Sequence, residues 1–255
     1  MSRIPIALQL YSVRQACAED LAGTLEAVAK MGYEGVEFAG FYNRSAKELR
    51  QMLADNGLQV AGAHIRLDEL TGDQFQRTVE FNQELGNKYL ILPSVPESMR
   101  NTKEACLQTA RLLDELAEKL LPYGMFTGYH NHKVEVQPLP GQQDPSVSAF
   151  TTLFDATRPE VVVQIDIGHA MRGGADPVAL IERYPGRAKT VHVKEYAPND
   201  DAAVVGEGVV PWADVFSACE RVGGTEWYIV EHEHYSRPPL ECVELCLKNL
   251  RAMGK

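Results

Sequence analysis

Short runs rich in β-branched and aromatic residues alternate with longer amphipathic segments along this chain, and the pair recurs eight times without a linker-like break. No other feature restricts the fold so strongly. The β-type runs are IALQLY near residue 6, GVEFAG from 35, QVAGAHI from 59, YLILPS from 89, MFTGYHNH from 125, VVVQIDIGH from 161, TVHVKEY from 190 and WYIVEHEH from 227. Between them lie helical patterns such as DLAGTLEAVAKMG, SAKELRQMLADNG, CLQTARLLDELAEKLLPYG and PPLECVELCLKNLRAMG. Ser45 with Glu48 three residues on predicts a capping box, and Gly32, Gly57 and Gly124 stand where a helix-ending glycine belongs.

Strands that alternate with helices become parallel strands joined by right-handed crossovers, and eight such units favour closure. The expectation is a (β/α)8 barrel, a single domain over residues 1–255, a length such barrels ordinarily use. An open doubly wound sheet is the alternative, but no GxGxxG or GxxxxGKS follows the first strand to cradle a phosphate. A net charge of -10 excludes the basic patch that nucleic acid requires, so a small, polar, uncharged ligand fits better. Nowhere is there an apolar run of about eighteen residues, and MSRIPIALQLYS lacks a secretory pattern, which predicts no membrane association and a cytoplasmic location. Five cysteines without CxxC spacing disfavour disulfides and thiolate zinc; Cys242 and Cys246, four apart, read as small apolar residues on a buried helix stripe.

Alternate residues of a barrel strand point inward and outward, so polar residues two apart share a face. In VVVQIDIGH the apolar Val161, Val163 and Ile165 take the outer face and leave Gln164 and Asp166 inside. The same parity puts Thr190, His192 and Lys194 inside, opposite Val191 and Val193, and Glu231 and Glu233 inside, alternating with Val230. His130 and His132 share one parity, opposite Tyr129 and Asn131.

These polar residues gather toward the carboxyl ends of their strands, where barrel enzymes place active sites. Taken singly each has a plain structural explanation: a strand histidine is usually hydrogen-bonded in the core, and Asp166 or Glu231 could pair with Arg172 or Lys194. Taken together, four successive strands that supply His130, Asp166, His192 and Glu231 predict one shared divalent cation, because buried charges cost several kcal/mol each unless paired or metal-bound. Two imidazoles and two carboxylates suit Mn²⁺, Zn²⁺, Co²⁺ or Fe²⁺, with Mg²⁺ also open. His169, three residues after Asp166, is expected to orient a ligand or touch substrate. On the first three strands Gln9, Glu37 and His64 also fall near the strand ends and are expected to form the opposite wall. The segment GEGVVPW, with Glu207 between Gly206 and Gly208 and Trp212 opening a helix, reads either as a turn or as a mobile substrate contact through Glu207.

GYEGVEFAG, the histidine of QVAGAHI, GYHNH, IDIGHA, VHVKEY, GEGVVPW and YIVEHE, in this order, resemble the xylose-isomerase-like barrel superfamily of sugar phosphate isomerases and epimerases. Its members include tagatose/psicose 3-epimerases, inosose dehydratases and, more distantly, endonuclease IV. The resemblance implies a divalent metal on four strand-end residues, with Asp166, His192 and Glu231 at matching positions. The fourth family ligand is usually a Glu in an ENH-type motif, where this chain reads His-Asn-His and places His130. The two-carboxylate epimerase mechanism therefore does not transfer directly.

The expected chemistry is proton abstraction beside a metal-held carbonyl of a sugar, keto-sugar or inositol-type substrate, giving isomerisation or epimerisation, or dehydration if a β-hydroxyl leaves. Glu231 is the expected base. Lys194 or His169 would stabilise the developing oxyanion or return a proton, while Glu37, His64 and His132 would hold substrate hydroxyls. A phosphodiesterase of the endonuclease IV type conflicts with the acidic charge, and a non-catalytic sugar-binding barrel is the remaining alternative. Exposed barrel helices commonly support dimers, so a homodimer is left open.

Overall fold

The computed structural model describes residues 3–142, 144 and 146–255. Eight strands close a barrel in sequence order, every neighbouring pair parallel: β1 (Ile6–Gln9), β2 (Gly35–Ala39), β3 (Gln59–His64), β4 (Tyr89–Leu92), β5 (Phe126–His130), β6 (Val162–Asp166), β7 (Thr190–Val193) and β8 (Trp227–Val230). All eight runs read from the sequence are strands. Helices such as Leu21–Met31, Ala46–Asp55, Lys103–Leu120 and Pro239–Ala252 cover the outside.

The local signals act as expected. Ser45 accepts from the Glu48 amide at 3.2 Å while the Glu48 carboxylate accepts from the Ser45 amide at 2.8 Å, which closes the capping box. Gly32 adopts φ 101°, the left-handed conformation that ends Leu21–Met31. All five cysteines are free and buried, Cys242 and Cys246 in the core between barrel and helices. Among the described residues no helix is long and apolar enough to cross a membrane.

Strand parity sorts the core into two layers. Leu8, Val36, Val163, Ile165, Val191, Val193 and Val230 face outward and pack under the helices. Ala7, Ala61, Tyr89, Ile91, Val162, Trp227 and Ile229 face inward and fill the floor of the barrel. Several strands end sooner than their apolar runs suggest. Because β5 stops at His130, β7 at Val193 and β8 at Val230, the residues Asn131, Lys194 and Glu231 stand at the mouth, just above the last rungs.

Candidate metal centre

His130, Asp166, His192 and Glu231 come from the ends of β5, β6, β7 and β8, and one ligating atom from each lies within 4.8 Å of all the others. All four are buried. His192 Nδ1 sits 2.5 Å from Glu231 Oε2 and 4.0 Å from Asp166 Oδ2, so three of the donors converge from three strands. His130 Nδ1 and Asp166 Oδ2 are buried and have no hydrogen-bond partner among the described residues. Leaving such groups unsatisfied costs about 1–3 kcal/mol each, and a cation at their point of convergence would satisfy both. Two imidazole nitrogens and two carboxylate oxygens, without thiolate, fit a divalent transition-metal ion.

Asp166 and His192 are each held by further residues. Asp166 Oδ1 accepts from the His169 amide at 2.6 Å and so caps the helix Ile167–Arg172, which turns Oδ2 toward the centre. The buried Asn131 exchanges hydrogen bonds with the Asp166 backbone, accepting from its N–H at 3.0 Å and donating to its carbonyl at 3.4 Å. Nothing in the sequence pattern marked Asn131, whose parity points away from the histidines. His192 is gripped at both ring nitrogens, by Glu231 at Nδ1 and by Glu37 at Nε2, the latter 2.6 Å away. This is the carboxylate–imidazole arrangement that orients metal-binding histidines.

Glu37, expected among the substrate contacts, lies behind His192. It is fully buried, and besides His192 its oxygens meet the Gln9 and Gln164 amide groups, each at 2.7 Å. Fully buried and absent from the cavity wall, Glu37 is placed to position His192. Gly62 makes this possible: a Cβ there would lie 2.8 Å from Glu37 Oε1, so only glycine on β3 leaves room for the carboxylate. Gln164 extends the network with its carbonyl oxygen 2.7 Å from His64 Nε2.

Electrostatics divide the site into fixed charge states. Burial opposes charge on His192, but the flanking carboxylates of Glu37 and Glu231 overcome it and raise its pKa to about 10 in the ion-free protein. Burial and the neighbouring His192 and His64 hold His130 well below its ordinary value, leaving a neutral imidazole able to donate a lone pair. Glu231 stays ionised, since Lys194 and His192 outweigh its burial. Lys194 stays an ammonium: burial works against it, yet Glu231, Asp166 and Glu233 raise its pKa. Its Nζ lies 3.5 Å from Glu231 Oε1 and 3.1 Å from His169 Nε2, and it also contacts Glu233. Glu233 is held down to about 2: burial pushes it up, but hydrogen bonding to His169 and the Lys194 charge outweigh it. Arg172, the other candidate partner for Asp166, pairs with Asp201 instead, at 2.5 Å.

Above the donors opens a cavity of about 370 Å³ whose walls include Gln9, Tyr11, His64, His130, His132, Glu231 and Glu233. Larger grooves of about 580 and 700 Å³ elsewhere do not contain the donor cluster. His64 and His132 therefore face the space where the sequence placed them, and Arg66 joins them with Tyr11 and Glu69, which stand on the short 3-10 turns Leu10–Val13 and Leu67–Glu69. Glu207 does not line this space. Its Oε2 accepts from the Val204 amide at 3.2 Å and its other oxygen lies 4.0 Å from Arg237, the turn-forming alternative for GEGVVPW. The loop is pinned by the buried Glu195, which accepts from Gly206 N, Tyr196 N, Val210 N and Trp212 Nε1 at 2.7–3.3 Å. A Cβ on Gly208 would stand 2.4 Å from that carboxylate.

A closed eight-stranded barrel with imidazole and carboxylate donors at its carboxyl end defines the class, and the comparison with known proteins agrees. The chain belongs to the xylose isomerase-like TIM barrel family, whose profile matches residues 25–252. It is 26% identical to the inosose dehydratase of Geobacillus kaustophilus (strain HTA426) over 252 residues, covering 82% of this chain and 79% of that one. A sugar phosphate isomerase/epimerase from Parabacteroides distasonis ATCC 8503 superimposes with a TM-score of 0.85 at 25% identity, over 99% of this chain and 95% of the other. The IOLI protein, solved with a zinc atom bound, shares the fold with a TM-score of 0.73 at 15% identity, over 98% and 97% of the two chains.

Proposed function

We propose that this protein is a divalent-metal-dependent lyase that removes water from a keto-polyol of the inosose type. The observation that carries this reading is an ionised carboxylate on the cavity wall, Glu231, whose Oε1 lies 3.5 Å from the Nζ of a buried ammonium group, Lys194. The inosose dehydratase relative supports the substrate class.

A divalent ion held by His130, Asp166, His192 and Glu231 would polarise the substrate carbonyl and acidify the neighbouring C–H bond. Glu231 stands ready to take that proton, its ionised state maintained by Lys194 and His192. As the C–H electron pair becomes the new C=C bond, the C–O bond to the β-hydroxyl breaks, and Lys194 gives the departing oxygen its proton so that water leaves. Glu233 and His169 hold the Lys194 nitrogen in place for this transfer. The proton on Glu231 then returns to Lys194 across 3.5 Å, which restores both groups. Because base and acid are neighbours, the hydrogen and hydroxyl are expected to leave from the same face. His64 and His132 on the cavity wall would bind the remaining hydroxyls.

Epimerisation is the second reading, supported by the sugar phosphate isomerase/epimerase neighbour. Against it stands His130, a neutral imidazole where a two-carboxylate mechanism needs a second ionised acid. Incubation of the metal-loaded protein with inososes and keto-sugars in D2O separates the two. A lyase yields a product lighter by one water that absorbs in the near ultraviolet, whereas an epimerase yields a deuterated product of otherwise unchanged mass. In Lys194→Gln, carbon deuteration should persist while water loss slows by about a hundredfold. Absence of both deuteration and product across the panel sinks proton abstraction.

A further inference from the structure

His130 has no partner for Nδ1 among the described residues, unlike His192, whose two ring nitrogens are both engaged by carboxylates. A buried imidazole nitrogen left unpaired is costly, and a cation at the point where Asp166, His192 and Glu231 also converge would satisfy it. Near it stands a third imidazole. Ligating atoms of His64, His130 and His192 also fall within 4.8 Å of one another, with ring centroids of His64 and His130 at 5.0 Å and of His130 and His192 at 4.5 Å. His130 and His192 are thus shared between two groups, one with His64 and one with Asp166 and Glu231, so imidazole nitrogen is plentiful at the centre. Mg²⁺ demands oxygen ligands and Mn²⁺ favours them, whereas Zn²⁺, Co²⁺ and Fe²⁺ accept imidazole readily.

We propose that His130 sets the metal preference of this centre, favouring a borderline cation of the Zn²⁺, Co²⁺ and Fe²⁺ class over Mn²⁺ and Mg²⁺. The inference rests on reading the four donors as a metal centre and is independent of the dehydration chemistry. His192 is a weaker candidate for this role because its geometry is dictated by Glu37 and Glu231. His64 adds nitrogen nearby, but its Nε2 is occupied by Gln164.

The test uses the full chain, stripped with chelator and reloaded, with dissociation constants for Zn²⁺, Co²⁺ and Mn²⁺ from competition titrations. Every site ranks Zn²⁺ above Mn²⁺ to some degree, so the readout is the change in the ratio between variants. His130→Glu, which turns two nitrogens and two oxygens into one and three, should lower the Zn²⁺-over-Mn²⁺ affinity ratio by at least about tenfold and shift the visible absorption of the Co²⁺ form. His130→Gln, which adds no charge at that position and serves if the glutamate form does not fold, should also lower the ratio by weakening Zn²⁺ more than Mn²⁺. An unchanged ratio and an unchanged Co²⁺ spectrum in a folded His130→Glu protein that still binds the ions overturn the proposal while leaving the metal centre intact. Failure of the unaltered protein to bind any of the three ions overturns the centre itself.

Discussion

The floor and the mouth of the barrel interior are built on the same strands and the same parity, two residues apart, yet they are opposite in character. Ala7, Val162 and Ile229 lie in the apolar floor, and two steps along the same strands come Gln9, Gln164 and Glu231. The distance between layers is only about 7 Å, two strand residues. Below, burial of aliphatic and aromatic surface stabilises the closed barrel. Above, buried charge is costly and is offset by mutual hydrogen bonding around Glu37, to which the proposed cation would add. Stability and chemistry are thereby placed in adjacent layers, where each can change with little effect on the other.

That separation can be broken by experiment. Asp166→Asn should reduce turnover by about a thousandfold, from loss of an anionic ligand, while the melting temperature of the chelated protein stays close to that of the unaltered chain because asparagine can still cap Ile167–Arg172. A large drop in that melting temperature would mean that mouth and floor are not separable. Ile229→Ala, in the floor, should cost about 2–5 kcal/mol in denaturant unfolding yet keep the metal stoichiometry of the folded fraction. Glu37→Gln removes the anionic acceptor of His192 and should weaken metal binding by about 10–100-fold, with the substrate KM at saturating metal unchanged. A raised KM there would restore Glu37 to the substrate contacts.

The smallest effect is on pH. The His192 pKa in the folded, ion-free protein, about 10, lies above its ordinary 6.5. Its stabilising contribution is thus complete below about pH 6.5 and fades as pH rises toward 10. Thermal melts of chelated protein should decline over that interval, and saturating metal, which displaces the proton, should flatten the decline.

The eightfold alternation was legible because hydrophobic period and glycine punctuation are local properties, and in a closed parallel barrel they leave little topological choice. Parity carried the reading further: it identified His130, Asp166, His192 and Glu231 as inward-facing residues near strand ends, and these four lie together. It did not distinguish Glu37, which is hidden behind His192, from His64, which faces the cavity, because parity reports the face of a strand and not what stands in front of a side chain. That difference comes from a register shift between β2 and β3 at Val36/Glu37 and from the space above Gly62. Glu195 and Asn131 were equally hidden, since Asn131 works through the Asp166 backbone and Glu195 largely through amides and the Trp212 indole of a loop ten or more residues on.

By itself, then, the sequence determined the barrel, the inward set of polar residues and the absence of a phosphate-cradling motif at the first strand. Only the tertiary structure decided that Glu37 serves His192, that Glu207 folds into its own turn, and that Lys194 is held as a cation between Glu231 and Glu233. The reason is physical: periodicity is set by neighbours along the chain, whereas charge state and partnership depend on groups from different strands meeting in one buried volume.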